Sequence, residues 1–430
     1  MKNLTKKYDV VILGGGTSGC SAAYNCAKLN LKTLLVEKNN YLGGLMTGGL
    51  VVPVMNSSDN KLNCDFYKKL VSKAKKYNAQ ITYSDKNEGW FNPEILKIVL
   101  EDILTSNTVS KNLDILFETT LENVDYTSSK IKSVNLKSGF LSIPVVAKYF
   151  IDCTATGILA KKANCKFLDD NKETQQNSLR FILGNVDIEK FVRFISKIDN
   201  DKNITNTYRN EIDTNNKIHF TTASTWDTNK IWNVDKLLKE GVKKGLLKNT
   251  DRSYFQIFSV AGGDNQVAFN CPRINCIKDN PFESSIELIK AKKAIWRLYN
   301  FAKTEFKGFE NAIITNIAPI TGIREENRVK TKYIYKKDDI INSKKFKTTV
   351  LRANYPIDIH SSKKNKSTLK TVATYELPIE SLISADYDNL FVAGKLVGAE
   401  FSAHSALRVQ KSCMSMAEGV AKYIAKCYLS

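Results

Sequence analysis

Hydrophobic and polar positions divide the first forty residues into three segments. "YDVVIL" (8–13) is a short apolar run rich in β-branched residues, the pattern of a buried strand. "SGCSAAYNCAKLN" (18–30) spaces small and apolar residues at helical intervals, and "KTLLVE" (32–37) predicts a second strand. Further on, "NPEILKIVLEDILTS" (92–106) predicts a helix and "LDILFETT" (113–120) a strand. Residues 121–150 then alternate apolar and polar positions with polar turns, the signature of a β-meander. Its last strand runs into Asp152 and Cys153.

The middle of the chain reads differently. "SLRFILGNV" (178–186) is strand-like. "YFQIFSVAGGDNQVAFNCPR" (254–273) predicts a hairpin turning at Gly-Gly-Asp-Asn, and "ESSIELIKAKKAIWRLYNFAKTEF" (283–306) predicts a long helix. "DIHSSKKNKSTLK" (358–370) reads as a mobile surface loop. Near the end, the strand "NLFVAG" stops at Gly394, a turn containing His404 follows, and a long helix closes the chain. No internal repeat or low-complexity tail is visible.

A chain of 430 residues exceeds one ordinary core, so two domains are expected. The apolar fraction of 43% and charged fraction of 25% are those of a soluble globular protein. No apolar run reaches the ~18–20 residues of a membrane span. The opening apolar run is too short for a signal peptide, so a cytoplasmic protein is expected.

Nine cysteines show neither a CxxC pair nor zinc spacing, which predicts buried, reduced thiols, no metal site and no dithiol chemistry. The net charge of +20 raises the possibility of a nucleic-acid face. Only ten of the 64 basic residues are Arg, however, and Lys is scattered in short clusters. Base recognition leans on Arg, so a solvated Lys-rich surface is the simpler reading.

The glycines between the first strand and helix change the picture most. Gly14-x-Gly16-x-x-Gly19 sits inside a strand–helix–strand unit of about 30 residues, the context in which the motif binds a dinucleotide. Gly14 permits the turn, Gly16 lets the backbone approach a pyrophosphate, and Gly19 lets the helix pack on the strand. The helix N-terminus offers N–H groups to phosphate. Glu37, ending the second strand, can accept hydrogen bonds from a ribose diol and would repel a 2′-phosphate. No second GxGxxG is present for NAD(P)H.

"EKNNYLGGLMTGG" (37–49) adds a second glycine pair, Gly43 and Gly44, then Thr47, Gly48 and Gly49. This resembles the FAD proteins of glutathione reductase type, in which the cofactor lies extended in the first domain. With "YLGG", "WFNPEILKIVLEDIL", "TGIREENRV", "YPIDIHS", "YELPIESLI", "NLFVAGK" and "AHSALRVQKSCMSMAEGVA", the chain resembles the FAD-dependent oxidoreductases, distant relatives of the succinate dehydrogenase and fumarate reductase flavoproteins. The resemblance implies an α/β fold. A Rossmann-like FAD-binding domain (1–175 and 372–430) would carry an inserted α+β substrate domain (176–371). It implies non-covalent FAD and a small, perhaps anionic, organic substrate, with the electron donor or acceptor unnamed. An RNA-modifying flavoprotein and a flavin binder without turnover are the alternatives.

Cofactor contacts are expected from Gly14, Gly16, Thr17, Ser18, Gly19, Glu37, Lys38, Gly43, Gly44 and Thr47. Further contacts are expected from Leu121, beside Thr120 near the adenine, and from Thr154, Gly157, Gly394, Lys395 and Arg408. In the related turn after Asp152 the family pattern has glycine where this chain has Ala155. "AHSALR" resembles the relatives' "HGANR" stretch, which implies an anion clamp at Arg408 and a proton donor or positioning group at His404. Glu400 precedes them by helical intervals. Arg324, reaching the cleft perhaps through Glu325, and His360 complete the catalytic candidates. Cys413 is expected to be an inert packed thiol and His219 a surface histidine.

Overall fold

The computed structural model describes residues 6–55, 57, 61–81, 89–169, 174–209, 218–225, 230–275, 280–361 and 366–429. β1 (Lys6–Leu13), α1 (Thr17–Lys28) and β2 (Thr33–Val36) form the expected strand–helix–strand unit. α2 (Pro93–Leu104) begins at Asn92, whose side chain accepts hydrogen bonds from the Glu94 and Ile95 amides, with Pro at the first helical position. β3 (Leu113–Leu116), β4 (Thr120–Tyr126), β5 (Ile131–Ser138) and β6 (Leu141–Asp152) follow. α3 (Pro281–Glu305) lies in the middle of the chain. β7 (Leu390–Val392), α4 (Phe401–Leu407) and α5 (Gln410–Leu429) end it.

The main sheet runs β3-β2-β1-β6-β5-β4, with β7 also paired to β6. β3, β2, β1, β6 and β7 are mutually parallel, whereas β6-β5-β4 is an antiparallel meander. β1 shows why its sequence is apolar without interruption. Val10 and Ile12 pack into one core with α1 and α5, while Val11 and Leu13 pack into a second core on the other face. A parallel strand covered on both sides needs apolar residues at every position.

The middle region builds a separate antiparallel sheet from 181–184, 206–209, 218–224, 255–259, 267–269 and 313–317, with α3 packed against it. The hairpin expected at 254–273 is present. The core of this layer draws mainly on Leu179 to Ala318, joined by Leu50, Val52, Ile81 and Trp90 of the first region. Tyr335, Ile340, Leu351, Ala353, Ile357, Tyr375 and Leu377 pack instead into the β1–α1–α5 core. We therefore propose that the cap unit spans roughly 179 to 318, and that the chain after it belongs to the dinucleotide-binding unit.

Three local expectations are corrected. Ile357–Ser361 and Lys366–Lys370 form an antiparallel hairpin rather than a loop, its turn lying outside the described residues. The strand inherits the alternation of "IDIHS", which turns Asp358 and His360 inward. The C-terminal helix is broken in two at Arg408, and His404 sits within the first piece rather than in a turn. His219 is buried, with its ring Nδ1 3.3 Å from Ser259 Oγ, because its strand is interior to the cap sheet.

Candidate active site

The glycine turn is shaped by contact on three sides and open on the fourth. Gly14 adopts φ 94°, where glycine alone is unstrained. A Cβ on Gly19 would stand 1.8 Å from the Gly14 carbonyl oxygen, so only glycine lets α1 meet β1 this closely. A Cβ on Gly16 would meet no atom within 4 Å. No side chain caps α1, and its first turn, which includes Thr17 and Ser18, carries no acid. An unfilled space thus faces an uncapped helix N-terminus, the arrangement that binds phosphate.

Glu37 is buried at the end of β2. Its carboxylate accepts hydrogen bonds from the Gly15 amide at 2.7 Å and from the Asn39 amide at 2.9 Å. Thr119 donates its amide to the Glu37 carbonyl, which brings Thr120 and Leu121 to the same corner. Lys38 points to solvent. The second glycine pair lies directly on the first, since Gly43 donates to the Gly15 carbonyl and bridges Gly16. Thr47 is fully buried and spends its hydroxyl on the Leu42 carbonyl, tying this loop shut.

The turn after β6 closes a further side. Asp152 is fully buried; it accepts from the Thr154 amide and hydroxyl and, through its other oxygen, from the Leu159 and Ala160 amides. Burial raises its pKa despite these bonds. Thr154 Oγ1 accepts in turn from Gly157. Ala155 and Gly157 are both left-handed, at φ 63° and 71°.

The far end of the chain reaches the same place. A Cβ on Gly394, itself at φ 74°, would stand 2.4 Å from Ser18 Oγ and 3.7 Å from Cys413 Sγ. Ser21 donates to the Met414 carbonyl, so α1 and α5 pack side by side. Lys395 donates from Nζ to the Ile323 carbonyl at 2.7 Å, and burial pushes its amine down to about 8. His404 is fully buried, 2.9 Å from the Lys395 carbonyl through Nε2. A carbonyl only accepts, so Nε2 carries the proton. Burial, with Arg328 nearby, pushes the ring down to about 3 and keeps it neutral. Its one N–H is committed to the Lys395 carbonyl. Glu400 lies before α4 and accepts from the Lys337 amide.

Beside these residues stands a cluster built from the cap, the 357–370 hairpin and the end of α4. Arg408 donates from Nη2 to the Asp358 carbonyl at 3.1 Å and lies 3.4 Å from its Oδ2; its Nε makes no hydrogen bond among the described residues. Asp358 Oδ2 also accepts from Tyr355 and lies 3.2 Å from His360 Nε2. His360 is edge-on to Tyr254, and the Arg273 guanidinium stacks 3.6 Å from the centre of the same Tyr254 ring. Arg324 donates to the Gln176 carbonyl. Arg180 is buried, reaches only the Leu50 carbonyl at 3.4 Å, and leaves Nε without a partner among the described residues.

These guanidiniums lower one another's pKa values. Burial and then Arg273 push Arg180 down to about 9. Burial, Arg273 and Arg408 push Arg324 well below its usual value, and burial lowers Arg273. Burial opposes ionisation of Asp358, but His360, Arg408 and Arg324 outweigh it and hold the carboxyl below its ordinary range. His360 is pushed down to about 3, chiefly by burial. An ionised Asp358 facing Nε2–H leaves the imidazole lone pair on Nδ1, the form able to accept a proton.

The structure places His360 and Arg408 against Asp358, Arg324 on the Gln176 carbonyl, and His404 one helical turn before Arg408 on α4. It pairs Glu325 with Arg328 at 3.0 Å rather than with Arg324. It adds Arg180, Arg273, Tyr254 and Tyr355. Cys413 is buried and its thiol pushed up to about 12, as are Cys20 and Cys271, so none is a ready thiolate here. Cys276 lies outside the described residues.

The family model described as FAD dependent oxidoreductase matches residues 9–429. The chain belongs to this family. FAD is therefore the dinucleotide, and the open space at Gly16, the uncapped α1 and the buried Glu37 fit its phosphates and ribose. Among curated relatives, this FAD-dependent oxidoreductase is 28% identical over 156 residues to a glycerol 3-phosphate oxidase of Mycoplasma genitalium, covering 32% of this chain and 40% of that one. It is 34% identical over 88 residues to a thioredoxin reductase of Listeria monocytogenes, covering 20% and 27%. The chain thus spans well under half the length of these relatives. Solved structures that resemble it include GidA of Aquifex aeolicus (TM-score 0.49, 12% identity, 98% of this chain and 64% of that one). A geranylgeranyl bacteriochlorophyll reductase-like protein of Thermoplasma acidophilum has TM-score 0.48 and 14% identity, covering 99% and 79%.

Proposed function

We propose that the protein transfers a hydride between flavin N5 and a small anionic organic substrate. The observation that carries this reading is that Arg408, 3.4 Å from Asp358, and the buried Arg180 each leave a guanidinium Nε without a hydrogen-bond partner among the described residues. A guanidinium N–H taken out of water without a partner is costly, and an anionic substrate group would satisfy it.

FAD, when bound, supplies the two-electron carrier; the chain supplies orientation, charge and proton movement. Arg408 and Arg324 hold the anionic group through guanidinium N–H donors. Asp358 fixes Arg408 and the His360 tautomer. His360 is the group placed to take up the proton released when a substrate C–OH or C–NH is oxidised, its basicity rising once a bound anion offsets the Arg324 and Arg273 charges that help hold it down. His404 and Lys395 brace the strand end that presents Gly394. Sequestering four arginines also removes them from any nucleic-acid face, which favours the small-molecule reading over an RNA substrate.

The test is anaerobic spectrophotometry of the FAD-loaded protein against small carboxylates and phosphate esters bearing an oxidisable hydroxyl or amine. Bleaching of the flavin band by such anions, competed by non-oxidisable anions of the same shape, is expected. Failure of every anion to bleach or perturb the band would refute the reading. Salt-sensitive transfer RNA binding, steep on a log–log plot, would favour the RNA alternative.

A further inference from the structure

α3 carries an apolar stripe that the cap core does not use. Its buried residues, Ala291, Ala294, Ile295, Leu298, Phe301 and Ala302, face the cap sheet. Phe282, Ile286, Ile289 and Trp296 project the other way and are 83%, 51%, 56% and 58% exposed. At about 100° per residue these four fall within roughly 80° of the helix circumference, opposite the buried face. No residue among the first ten of α3 is fully buried, and only Leu288 of that stretch packs against the cap core.

Lysines frame the stripe. By the same helical arithmetic Lys293 lies in its middle, with Lys290 and Lys292 on its two flanks. Lys290 is paired with Glu287, whereas Lys292 and Lys293 make no ion pair among the described residues. Ile289, Lys292, Lys293, Trp296 and Arg297 line a shallow depression.

We infer that this face of α3 docks on an anionic lipid bilayer surface. A helix with large aromatic and aliphatic residues on one side and lysines beside them matches the headgroup boundary, where the rings sink and the ammonium groups stay at the phosphates. A second copy of the chain fits poorly, because a twofold contact on this stripe would set Lys293 against Lys293. The excess of basic residues, 64 against 44 acidic, adds long-range attraction to the same surface. Among the described residues no helix is long and apolar enough to cross a membrane, so the contact is peripheral.

The test is co-sedimentation of the full-length, FAD-loaded protein with phosphatidylcholine vesicles, with and without phosphatidylglycerol. Binding is expected only with phosphatidylglycerol. The triple variant F282S/I289S/W296S keeps every lysine and should lose binding, while retaining its flavin spectrum because these side chains are exposed. The charge variant K292Q/K293Q should bind roughly fivefold more weakly per lysine removed. No pelleting of the unaltered protein with anionic vesicles would overturn the inference. So would equal pelleting of the triple variant, which would assign binding to charge elsewhere. A dimer in sedimentation velocity that the triple variant dissolves would assign the stripe to a second copy instead.

Discussion

Gly394 and Ser18 are in contact, although one follows the last strand of the main sheet and the other opens the first helix. A Cβ on Gly394 would stand 2.4 Å from Ser18 Oγ. Gly394→Ala therefore faces a clash and a left-handed backbone together, and should cost about 1–2 kcal/mol or more in stability while lowering FAD content. Thermal unfolding and the ratio of flavin to protein absorbance after gel filtration would show it; an unchanged flavin ratio would contradict this cradle.

Gly16 and Gly19 should separate fold from cofactor. Gly16 has ordinary backbone angles and open space at its Cβ, so Gly16→Ala should leave apoprotein stability within about 0.5 kcal/mol yet weaken FAD binding at least tenfold. Gly19→Ala drives a methyl into the Gly14 carbonyl and should disrupt the apoprotein itself. Denaturant melts of apoprotein and FAD titrations would distinguish them, and equal behaviour of the two variants would argue against a phosphate site at Gly16.

Ala155 sits at φ 63°, where the family pattern has glycine. Its methyl costs strain there, so Ala155→Gly should stabilise the protein by up to about 1 kcal/mol, the backbone relief partly offset by glycine's entropy. A drop in melting temperature would show that the methyl packs usefully.

The arginine cluster makes a two-sided prediction. Arg273→Met keeps an apolar body over Tyr254 and removes a repelling charge. It should leave the melting temperature of the substrate-free enzyme unlowered while raising KM for an anionic substrate roughly tenfold or more. Arg408→Lys should raise KM as well, since an ammonium cannot replace the guanidinium fork. Unchanged KM in both would remove the cluster from the substrate site.

Acid should destabilise the fold through His360 and His404. Both are pushed down to about 3, below the ordinary ~6.5, so between those values the unfolded chain binds more protons than the native one. Stability present above pH 6.5 is lost as pH falls, by about 2–3 kcal/mol per imidazole at pH 4.5. Asp358, lowered instead, adds a loss below its own ordinary range. His404→Gln preserves an N–H donor and should flatten the pH dependence of urea unfolding; an identical profile would mean that His404 titrates normally.

The sequence revealed what was local. Gly14, Gly16, Gly19 and Glu37 lie within one strand–helix–strand unit, so their spacing was enough. Ala155 stood out against the family's glycine, and its left-handed angle supplies the reason. Arg180 and Arg273 were not singled out, because each sits alone in an apolar stretch and meets its partners only through the tertiary fold. A usable signal was present: arginine inside "SLRFIL" and "CPRIN", in a chain that otherwise takes lysine for its basic residues. His360 was singled out but its strand and its partner Asp358 were not, since the polar residues after them suggested a loop while the strand alternation turned both inward.

The side-by-side packing of α1 and α5 sets an order on the protein's birth. A ribosome emits the nucleotide-facing turn early, then the entire cap, and only afterwards the helix that walls off the other side. Until that last segment emerges, the nascent first helix exposes the apolar flank it will bury against α5. Loading of the yellow cofactor into a complete pocket is thus a late event, following synthesis of α5.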